Sequence, residues 1–460
     1  MMPVSDAGDS PMTRTLIKPR TIVTMNSDRV LIGDGGIIVR DAVIEQVLTE
    51  DGVRQITGFD GEVINAPDLV AIPGFIQTHI HLCQTLFRGL ADDLELLDWL
   101  KLKIFPFEAA HDSRSMHASA MVGIAELIRS GTTTIMDMGS IHYEEEIVRA
   151  IDETGLRAFV GKSMMDENEI YPGLKESTSN ALSSTLHQAE QWHNSSHGRI
   201  RYAVAPRFVL SCTDRLLKEA YEMTRSFPGM LFHTHAAENQ RETEAVRRRC
   251  KMGNVEFFAS IDALQQNTCL AHCVWLNDTE VKLLAERRAK VSHCPSSNLK
   301  LGSGVARVPE LLAQGISVSL GADGAPCNNT LDIFEEMRLA ALIQKPLHGA
   351  HAMPAKVIFE MATLGGATAL GLEGEVGSIE PNKKADIVLL DLRQLWNPSV
   401  DATGDDIYAT IVYSCSPENV HSVMGDGRWL QRNHRSVSLD DKKIVRIARD
   451  ELQHLLGRIV

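Results

Sequence analysis

The sequence has 460 residues, of which 44% are hydrophobic and 23% are charged. These fractions are ordinary for a folded globular protein and exclude a disordered chain, a coiled coil and a collagen. The formal net charge of −14 makes nucleic acid and anionic membrane surfaces unfavourable partners, because like charges repel. Apolar runs stay shorter than the roughly 18 residues that a membrane helix needs.

The amino-terminal segment and the cysteines indicate the compartment. The first twenty residues are polar and lack the apolar core of a signal peptide, so we expect residues 1–15 to be a loose tail of a cytoplasmic protein. The eight cysteines lie at irregular spacings without a CxxC motif. This usage predicts free thiols in a reducing compartment.

The middle of the chain has the pattern of an α/β protein. Between residues 73 and 376, apolar β-branched runs such as TTTIMDM and ISVSLGAD alternate with helical segments such as DTEVKLLAERR. Near-continuous apolar strands that alternate with helices predict a parallel sheet covered by helices. The segment is long enough for a closed (β/α)8 TIM-like barrel.

Two β-rich pieces flank this segment. Residues 16–72 alternate apolar and polar positions with glycine turns, as in GGIIVRDAVIEQVL, and the pattern returns over residues 377–437, as in HSVMGDGRWLQ. Neither piece alone can bury a core, so we expect the two to form one split β-sandwich domain. Residues 438–460 have apolar residues at helical spacing, which predicts a C-terminal amphipathic helix.

Polar side chains recur where the predicted parallel strands end. They are His79, His81, His235, Glu238, His272 and Asp323. His79 and His81 in PGFIQTHIHLCQ are two residues apart, so they point to the same face of a strand. Because barrel sites are built at the carboxyl ends of the strands, we expect the whole set to converge.

This set suits a catalytic metal site. Such a site needs about three protein ligands, an open position, and a separate acid/base that is not a ligand. The sequence predicts three imidazole ligands and one carboxylate ligand, namely His79, His81, His235 and Asp323. Glu238, three residues beyond His235, is the predicted acid/base. We expect His233 to be structural, and His293 to be structural or to pack beside the site.

The order of these motifs resembles the amidohydrolase superfamily. The resemblance rests on HxH, HxxE, a later histidine, HCPxSN and an aspartate after an apolar strand, and it extends from about residue 20 to residue 437. Within the aminohydrolase branch, HIHLCQ, APRFVLSCTD and HCPSSNLKLGSG resemble guanine deaminases. FRGLADDLELLDWL, IFPFE and GADGAPCNN resemble deaminases of 5′-deoxyadenosine, methylthioadenosine and S-adenosylhomocysteine. The s-triazine hydrolases share much of the same set of motifs.

The resemblance implies a cofactor and catalytic roles. One divalent ion, zinc or alternatively iron, would be held by His79, His81, His235 and Asp323. Glu238 would move protons, His272 would polarise the attacking water or the ring, and Asp323 would also orient that water. The implied reaction is hydrolysis of an exocyclic amino group with release of ammonia.

The substrate-binding residues implied by the resemblance are Gln84, Glu108, Arg207 and Phe208. Gln84, Arg207 and Phe208 match guanine-binding positions, and Arg207 suits a ring carbonyl because an arginine is a permanent fork of donors. Glu108 instead matches a residue that binds ribose hydroxyls. We therefore expect a purine-type ring, with guanine as the first choice. The alternatives are a 5′-deoxyadenosine, methylthioadenosine or S-adenosylhomocysteine deaminase, or an s-triazine aminohydrolase or chlorohydrolase.

Two other kinds of protein remain as alternatives. A cyclic-amide hydrolase with two metal ions would need a bridging carboxylated lysine, for which Lys162 is the candidate. A non-enzymatic metal-binding scaffold would keep the ligands without the acid/base, so the presence of Glu238 favours an enzyme. The expected partners are a small heterocyclic molecule and a second copy of the chain, in a homodimer or higher homo-oligomer.

Overall fold

The computed structural model describes residues 14–169, 171–395 and 406–459. Within these ranges the strands form two separate sheets. The strands of the amino-terminal piece are β1 (Arg14–Val23), β2 (Leu31–Gly33), β3 (Gly36–Arg40), β4 (Val43–Leu48) and β5 (Glu62–Pro73). Those of the central segment are β6 (Phe75–Ile80), β7 (Thr132–Met138), β8 (Arg157–Gly161), β9 (Ser163–Met164), β10 (Ile200–Pro206), β11 (Leu231–Ala236), β12 (Thr268–His272), β13 (Lys290–His293) and β14 (Val318–Leu320). The last are β15 (Ile387–Leu390), β16 (Val420–Gly425), β17 (Arg428–Arg432) and β18 (Arg435–Ser436).

Helices connect and cover these strands. The α-helices are α1 (Glu50–Arg54), α2 (Leu96–Trp99), α3 (Phe105–Ala109), α4 (Ser113–Arg129), α5 (Glu144–Thr154), α6 (Thr178–Trp192), α7 (Ser195–Gly198), α8 (Asp214–Met223), α9 (Gln240–Cys250), α10 (Asn254–Ser260), α11 (Asp278–Arg287), α12 (Pro295–Lys300), α13 (Val308–Ala313), α14 (Ala325–Asn328), α15 (Ile333–Leu342), α16 (Lys345–His348), α17 (Ala355–Met361), α18 (Leu364–Leu370), α19 (Asp406–Ser414) and α20 (Asp441–Leu456). A π-helical turn, Leu100–Ile104, joins α2 to α3. None of the helices in the described ranges combines the length and the apolar character needed to cross a membrane.

The barrel is a ring of parallel strands in the order β6-β7-β8-β10-β11-β12-β13-β14. The ring closes where Ile80 of β6 bridges to Asp323 after β14, and the Asp323 amide donates to the His79 carbonyl at 3.0 Å. Every residue of β7 and β8 is buried, as expected for strands with a packed interior on one face and helices on the other. The predicted TIM-like barrel is confirmed.

One end of the barrel is closed by apolar side chains. Side chains of neighbouring strands, among them Ile76, Met136, Phe159 and Leu231, form one buried cluster with Leu370 of α18. This filling leaves the carboxyl ends of the strands as the end at which a ligand can enter. The packing therefore places any site at the end that carries the polar residues of the sequence motifs.

The second sheet is built from both ends of the chain, as predicted. Its order is β18-β17-β16-β15-β5-β1-β3-β4, with β2 beside β1. The central strand β5 pairs with β1 in parallel and with β15 in antiparallel orientation. The predicted domain boundaries stay predictions. The predicted tail lies mostly outside the described residues, and Arg14 and Thr15 already belong to β1.

A buried ion-pair cluster joins this sheet to the barrel. Arg157 at the start of β8 donates to both carboxylate oxygens of Asp386, at 3.2 and 3.3 Å, and to Asp426 at 3.0 Å. The Arg157 and Asp386 side chains are only 4% and 2% exposed. Removal of one charge from such a pair leaves its partner buried and uncompensated. The stability of each sheet therefore depends on the charged residues that the other sheet contributes to the cluster.

We predict that Arg157→Met lowers the free energy of unfolding by about 3–5 kcal/mol, because Asp386 is left buried without its partner. The control is Arg225→Met, which removes a pair with Asp262 whose members are each 59% exposed and should cost less than about 1 kcal/mol. Urea denaturation of both variants provides the comparison. Equal losses would contradict a structural role for the buried cluster.

Candidate active site

The polar side chains of the sequence motifs meet at the carboxyl end of the barrel. The contributors are His79 on β6, His81 directly after β6, His235 on β11, His272 at the end of β12, and Asp323 after β14. Because these strands are parallel neighbours in one ring, their carboxyl ends share one rim. The fold thus brings together residues that are far apart in the sequence.

Asp323 is at the centre of this cluster. Its Oδ1 atom lies 3.3 Å from Nε2 of His79 and 3.3 Å from Nε2 of His81. Its Oδ2 atom lies 3.8 Å from Nε2 of His272. Nε2 of His235 lies 3.2 Å from Nε2 of His81. Ligand atoms of His79, His235, His272 and Asp323 all lie within 4.8 Å of one another.

Backbone carbonyls fix the orientation of His81 and His235. Nδ1 of His81 lies 2.7 Å from the Met138 carbonyl, and Nδ1 of His235 lies 2.7 Å from the Arg207 carbonyl. A carbonyl oxygen can only accept, so each Nδ1 carries the hydrogen and donates it. In the neutral ring the Nε2 atom then has the free lone pair.

Side chains, instead of backbone carbonyls, fix the orientation of His79 and His272. Nδ1 of His233 donates to the Cys269 carbonyl at 2.9 Å, so Nε2 of His233 accepts from Nδ1 of His79 at 2.8 Å. Nδ1 of His272 lies 2.9 Å from Oδ1 of Asn298, which accepts from it. All four imidazoles around Asp323 therefore present Nε2 as an acceptor.

The charge states agree with this arrangement. Burial lowers the pKa of His79 to about 4, and burial lowers the pKa values of His235 and His272 as well. These rings are neutral at pH 7. Burial also acts against a charge on His81, but Asp323 more than offsets it and raises the pKa of His81.

The cluster fits one divalent cation. Several neutral imidazoles and one carboxylate are a donor set that such an ion binds in proteins. The Nε2 atoms of His79 and His272 are buried and have no hydrogen-bond partner among the described residues. A bound cation would accept the lone pairs of these two atoms. It would also lie between the Nε2 atoms of His81 and His235, which otherwise face each other. When no cation is bound, a proton on His81 can fill part of that role.

The carboxylate of Asp323 is itself held from two sides. The Ser297 hydroxyl donates to Oδ2 at 2.7 Å, and the Gly324 amide donates to Oδ1 at 2.8 Å. Burial opposes ionisation, but the neighbouring imidazoles, His79 foremost, hold the pKa of Asp323 well below its usual range. Asp323 therefore stays ionised and fixed in orientation.

The backbone around the cluster is strained. His272, Asp323 and Ala237 adopt φ angles of 72°, 63° and 50°, in the left-handed region that disfavours side chains with a Cβ atom. Such residues cost on the order of 1–3 kcal/mol each and persist where the surrounding structure holds them. At these three positions the surrounding fold therefore holds the backbone of the rim.

Glu238 lies beside the cluster. It follows β11 by two residues, is buried, and has its Oε2 atom 3.6 Å from Nε2 of His272. Burial, assisted by the negative charge of Asp323, raises the pKa of Glu238 well above its usual value. A carboxyl whose pKa is raised by burial is suited to general acid catalysis.

A narrow cavity of about 20 Å³ lies over the cluster. The lining includes His81, Gln84, Trp99, Arg207, Phe208 and Glu238. Gln84 Oε1 and Trp99 Nε1 are buried without a hydrogen-bond partner among the described residues. The cavity thus offers one free acceptor and one free donor to a polar ring.

The predicted substrate-binding residues form a network with one another. Arg207 donates to both carboxylate oxygens of Glu108, at 2.6 and 3.0 Å, and Gln84 donates to Glu108 at 2.8 Å. The Arg207 and Glu108 side chains are 4% and 1% exposed. Arg207 and Gln84 line the cavity, whereas Glu108 is not among the described residues that do.

This network differs from the expectation for Arg207. The expectation was a guanidinium fork directed at a substrate carbonyl. In the structure the fork is bound to Glu108, in a planar bidentate pair of the strong kind. Two of the five N–H groups of Arg207 are thus directed at Glu108, and a contact of Arg207 with a ring carbonyl stays a prediction. Phe208 lies on the cavity wall, where its ring can contact a bound heterocycle.

Lys162 lies away from the imidazole cluster. It follows β8, its ammonium group pairs with Glu176, and it lines a different cavity with Tyr143 and Asn180. A carboxylated lysine that bridges two ions would have to reach the imidazoles. The position of Lys162 gives no support to the two-metal alternative.

Sequence reasoning missed three residues that orient the cluster. His233 was expected to be structural, yet it binds His79; Ser297 binds Asp323, and Asn298 binds His272. The repeated HxH spacing in LFHTHAAEN and the polar run in HCPSSN were the available signals. His293 is buried beside His272, and burial lowers its pKa to about 3, in agreement with the expected packing role.

We predict that His233→Ala weakens zinc binding by about 10–100-fold, because His79 loses the acceptor that fixes its tautomer and orientation. Chelator competition on the purified protein measures the affinity. His421→Ala, a histidine of the second sheet, serves as the control and should bind zinc as the wild type does. Unchanged affinity in a folded His233→Ala protein would contradict the orienting role.

The comparisons with known proteins agree with this geometry. Residues 70–430 match the amidohydrolase family. The chain is 39% identical to a 5′-deoxyadenosine deaminase of Methanothermobacter thermautotrophicus, over 93% of this chain and 97% of the relative. It is 37% identical to a 5-methylthioadenosine/S-adenosylhomocysteine deaminase of Moorella thermoacetica, over 94% of this chain and 97% of the relative.

The fold is similar to that of a solved structure. An adenosine deaminase from Xanthomonas campestris, with bound zinc, superposes with a TM-score of 0.89 and 27% identity. The alignment covers 97% of this chain and 99% of that one. The similarity therefore extends over the barrel and the second sheet together. The family predicted from the sequence motifs is confirmed: this chain belongs to the amidohydrolase family.

Proposed function

We propose that the protein is a metal-dependent deaminase that hydrolyses the exocyclic amino group of adenine in a nucleoside modified at its 5′ carbon. Relatives of this kind, at 39% and 37% identity over nearly the whole chain, support the reaction and the substrate class. Guanine, the first choice from sequence, is the weaker reading. The identity to these relatives carries this choice, and the bidentate pair of Arg207 with Glu108 agrees with it.

The pairing matters because guanine carries a ring carbonyl at the position where adenine carries its amino group. A site for guanine would use a strong donor for that carbonyl, and a site that lacks it discriminates poorly in favour of guanine. In this structure Arg207 donates two of its five N–H groups, and the Gln84 amide nitrogen one of its two, to Glu108, so that Glu108 sets the orientation of both groups. Gln84 Oε1 instead remains as an acceptor.

The proposed ion is zinc, held by His79, His81, His235 and Asp323, with His272 Nε2 in the same cluster. When bound, a divalent ion would supply an electrophilic centre that lowers the pKa of a water molecule toward about 7. The donor set of nitrogen and oxygen atoms suits zinc, and iron would be bound by the same residues.

Glu238 is placed to act as the acid. Its buried, protonated carboxyl would donate to a ring nitrogen, which makes the carbon that bears the amino group more electrophilic. Asp323, ionised and held by Ser297, would accept a proton from the attacking water. His272, whose Nε2 lies 3.6 Å from Glu238 and 3.8 Å from Asp323, would orient that water. The amino group would then take the proton from Asp323 and leave as ammonia when its bond to the ring carbon breaks, and the hydroxyl derived from water would return its proton to Glu238 as the ring carbonyl forms.

We predict that Glu238→Gln retains the metal but lowers kcat by about 10²–10⁴-fold, because the variant cannot transfer the proton. Metal content and steady-state ammonia release on the same preparation separate the two properties. Glu219→Gln, an exposed position on α8, is the matched control and should behave as the wild type does. Parallel loss of metal and activity in Glu238→Gln would instead make Glu238 a ligand.

We predict that kcat/KM for 5′-deoxyadenosine or methylthioadenosine exceeds that for guanine by at least about 100-fold, because the relatives at 39% and 37% identity act on nucleosides of this kind. Ammonia release from these compounds, with melamine as an s-triazine probe, provides the measurement. Preferential use of guanine would overturn the proposed substrate. Preferential use of melamine would establish the triazine alternative.

A further inference from the structure

Arg458 binds the turn between α3 and α4 from the far end of the sequence. It follows α20 by two residues, and its Nε atom donates to the Ala110 carbonyl at 2.7 Å. Its other two nitrogens bind the Asp112 carboxylate at 2.9 Å and the Ser115 hydroxyl at 3.2 Å. Ala110 ends α3, and Asp112 caps the start of α4. One guanidinium therefore fixes the end of one helix and the beginning of the next.

A chain of hydrogen bonds leads from Arg458 toward the candidate active site. Nε2 of His111 donates to the Cys83 carbonyl at 2.7 Å, and burial lowers the pKa of His111 to about 4. The ring is neutral at pH 7, so its Nδ1 accepts from the Ser115 hydroxyl at 3.0 Å. The Ser115 oxygen in turn accepts from Arg458. Cys83 directly precedes Gln84, whose side chain lines the cavity.

The same turn holds the carboxylate that orients the donors of the cavity. Glu108 lies on α3, two residues before Ala110, and it binds Arg207 and Gln84. α3 has only five residues. A helix this short is not stable on its own, because nucleation of a helix is costly. The position of α3 therefore depends on its contacts with the rest of the chain, and Arg458 provides such a contact at its carboxyl end.

The helix before Arg458 also supports the cavity wall. Leu455 of α20 is fully buried, in one apolar cluster with Leu96, Trp99 and Leu100. These three residues line the cavity. α20 also packs along α4, which begins at the turn that Arg458 binds. The burial of Leu455 thus anchors α20 and holds Arg458 against the turn.

We propose that Arg458 is a positioning residue of the substrate cavity: it fixes the turn between α3 and α4 and thereby holds the carboxylate that orients Arg207 and Gln84. Arg458 and Asp112 are 35% and 41% exposed, so their ion pair alone contributes little. The hydrogen bonds to a backbone carbonyl and to a hydroxyl depend on direction, and they fix the turn. This inference rests on the proposed function and adds a residue that is remote in sequence from every motif of the site.

The first test is kinetic. Arg458→Met keeps an aliphatic side chain but removes all three contacts, so we expect KM for 5′-deoxyadenosine to rise about five- to tenfold while kcat and zinc content change by less than about twofold. Arg458→Lys should give an intermediate KM, because one ammonium group cannot reproduce the planar fork of donors. Arg446→Met, at an exposed position of α20, is the control and should behave as the wild type does.

The second test measures amide hydrogen exchange and does not depend on activity. In folded Arg458→Met, the amides of residues 105–115 should exchange at least about threefold faster than in the wild type, because local opening no longer breaks the contacts of Arg458. The amides of α6 are the internal reference and should exchange as they do in the wild type.

The outcomes separate this inference from the proposed function. If the wild type releases ammonia from none of the nucleosides, the proposed function is overturned, and hydrogen exchange still decides whether Arg458 fixes the turn. An unchanged KM in active Arg458→Met, even with lower stability in urea, would overturn the inference alone. Unchanged exchange over residues 105–115 would overturn it as well. If Arg458→Met fails to fold, Arg458→Lys provides both measurements, and wild-type values of both would contradict the inference.

Discussion

The interaction on which the site depends is the convergence of four imidazole Nε2 atoms on the carboxylate of Asp323. Each ring has its other nitrogen committed to an acceptor: Met138, Arg207, His233 or Asn298. The acceptors therefore decide which atom faces the centre. Without them each ring could present a hydrogen instead of a lone pair, and the cluster would not bind a cation well.

The barrel positions these hydrogen-bond acceptors, and it also holds part of the backbone at the site in a strained conformation. The carbonyls of Met138 and Arg207 lie at or just past the ends of strands that neighbour the ligand-bearing strands. Asp323 is tied to β6 through the His79 carbonyl, which closes the ring of strands at the same point. The positive φ angles of His272 and Asp323 indicate that the surrounding fold holds the site in a geometry the local sequence would not choose.

Local spacing predicts the parts of the site that depend on one strand. The two-residue interval between His79 and His81, and the position of Asp323 after an apolar run, were sufficient to place both at the rim. The fold class followed from the alternation of buried strands and helices. These features are readable because a strand has a fixed period and parallel strands end at one side.

Contacts across the barrel could not be predicted in this way. His233 and His235 are two residues apart, as are the predicted ligands His79 and His81, so spacing alone makes His233 look like a ligand. Only its position opposite Cys269 in the sheet shows that it binds His79 instead. Arg207 directly follows β10 and Glu108 lies on α3, and nothing local to either motif indicates that they pair. From the sequence alone Arg207 is interpreted as a donor to the substrate, whereas in the folded chain two of its N–H groups bind Glu108.

The most direct test of the account is anomalous X-ray scattering at the zinc edge from crystals of the zinc-loaded protein. The account predicts one peak per chain, surrounded by the Nε2 atoms of the imidazole cluster and the carboxylate of Asp323, with Glu238 near it but not bound to it. Two peaks bridged by a lysine, or the absence of a peak between these side chains, would contradict it.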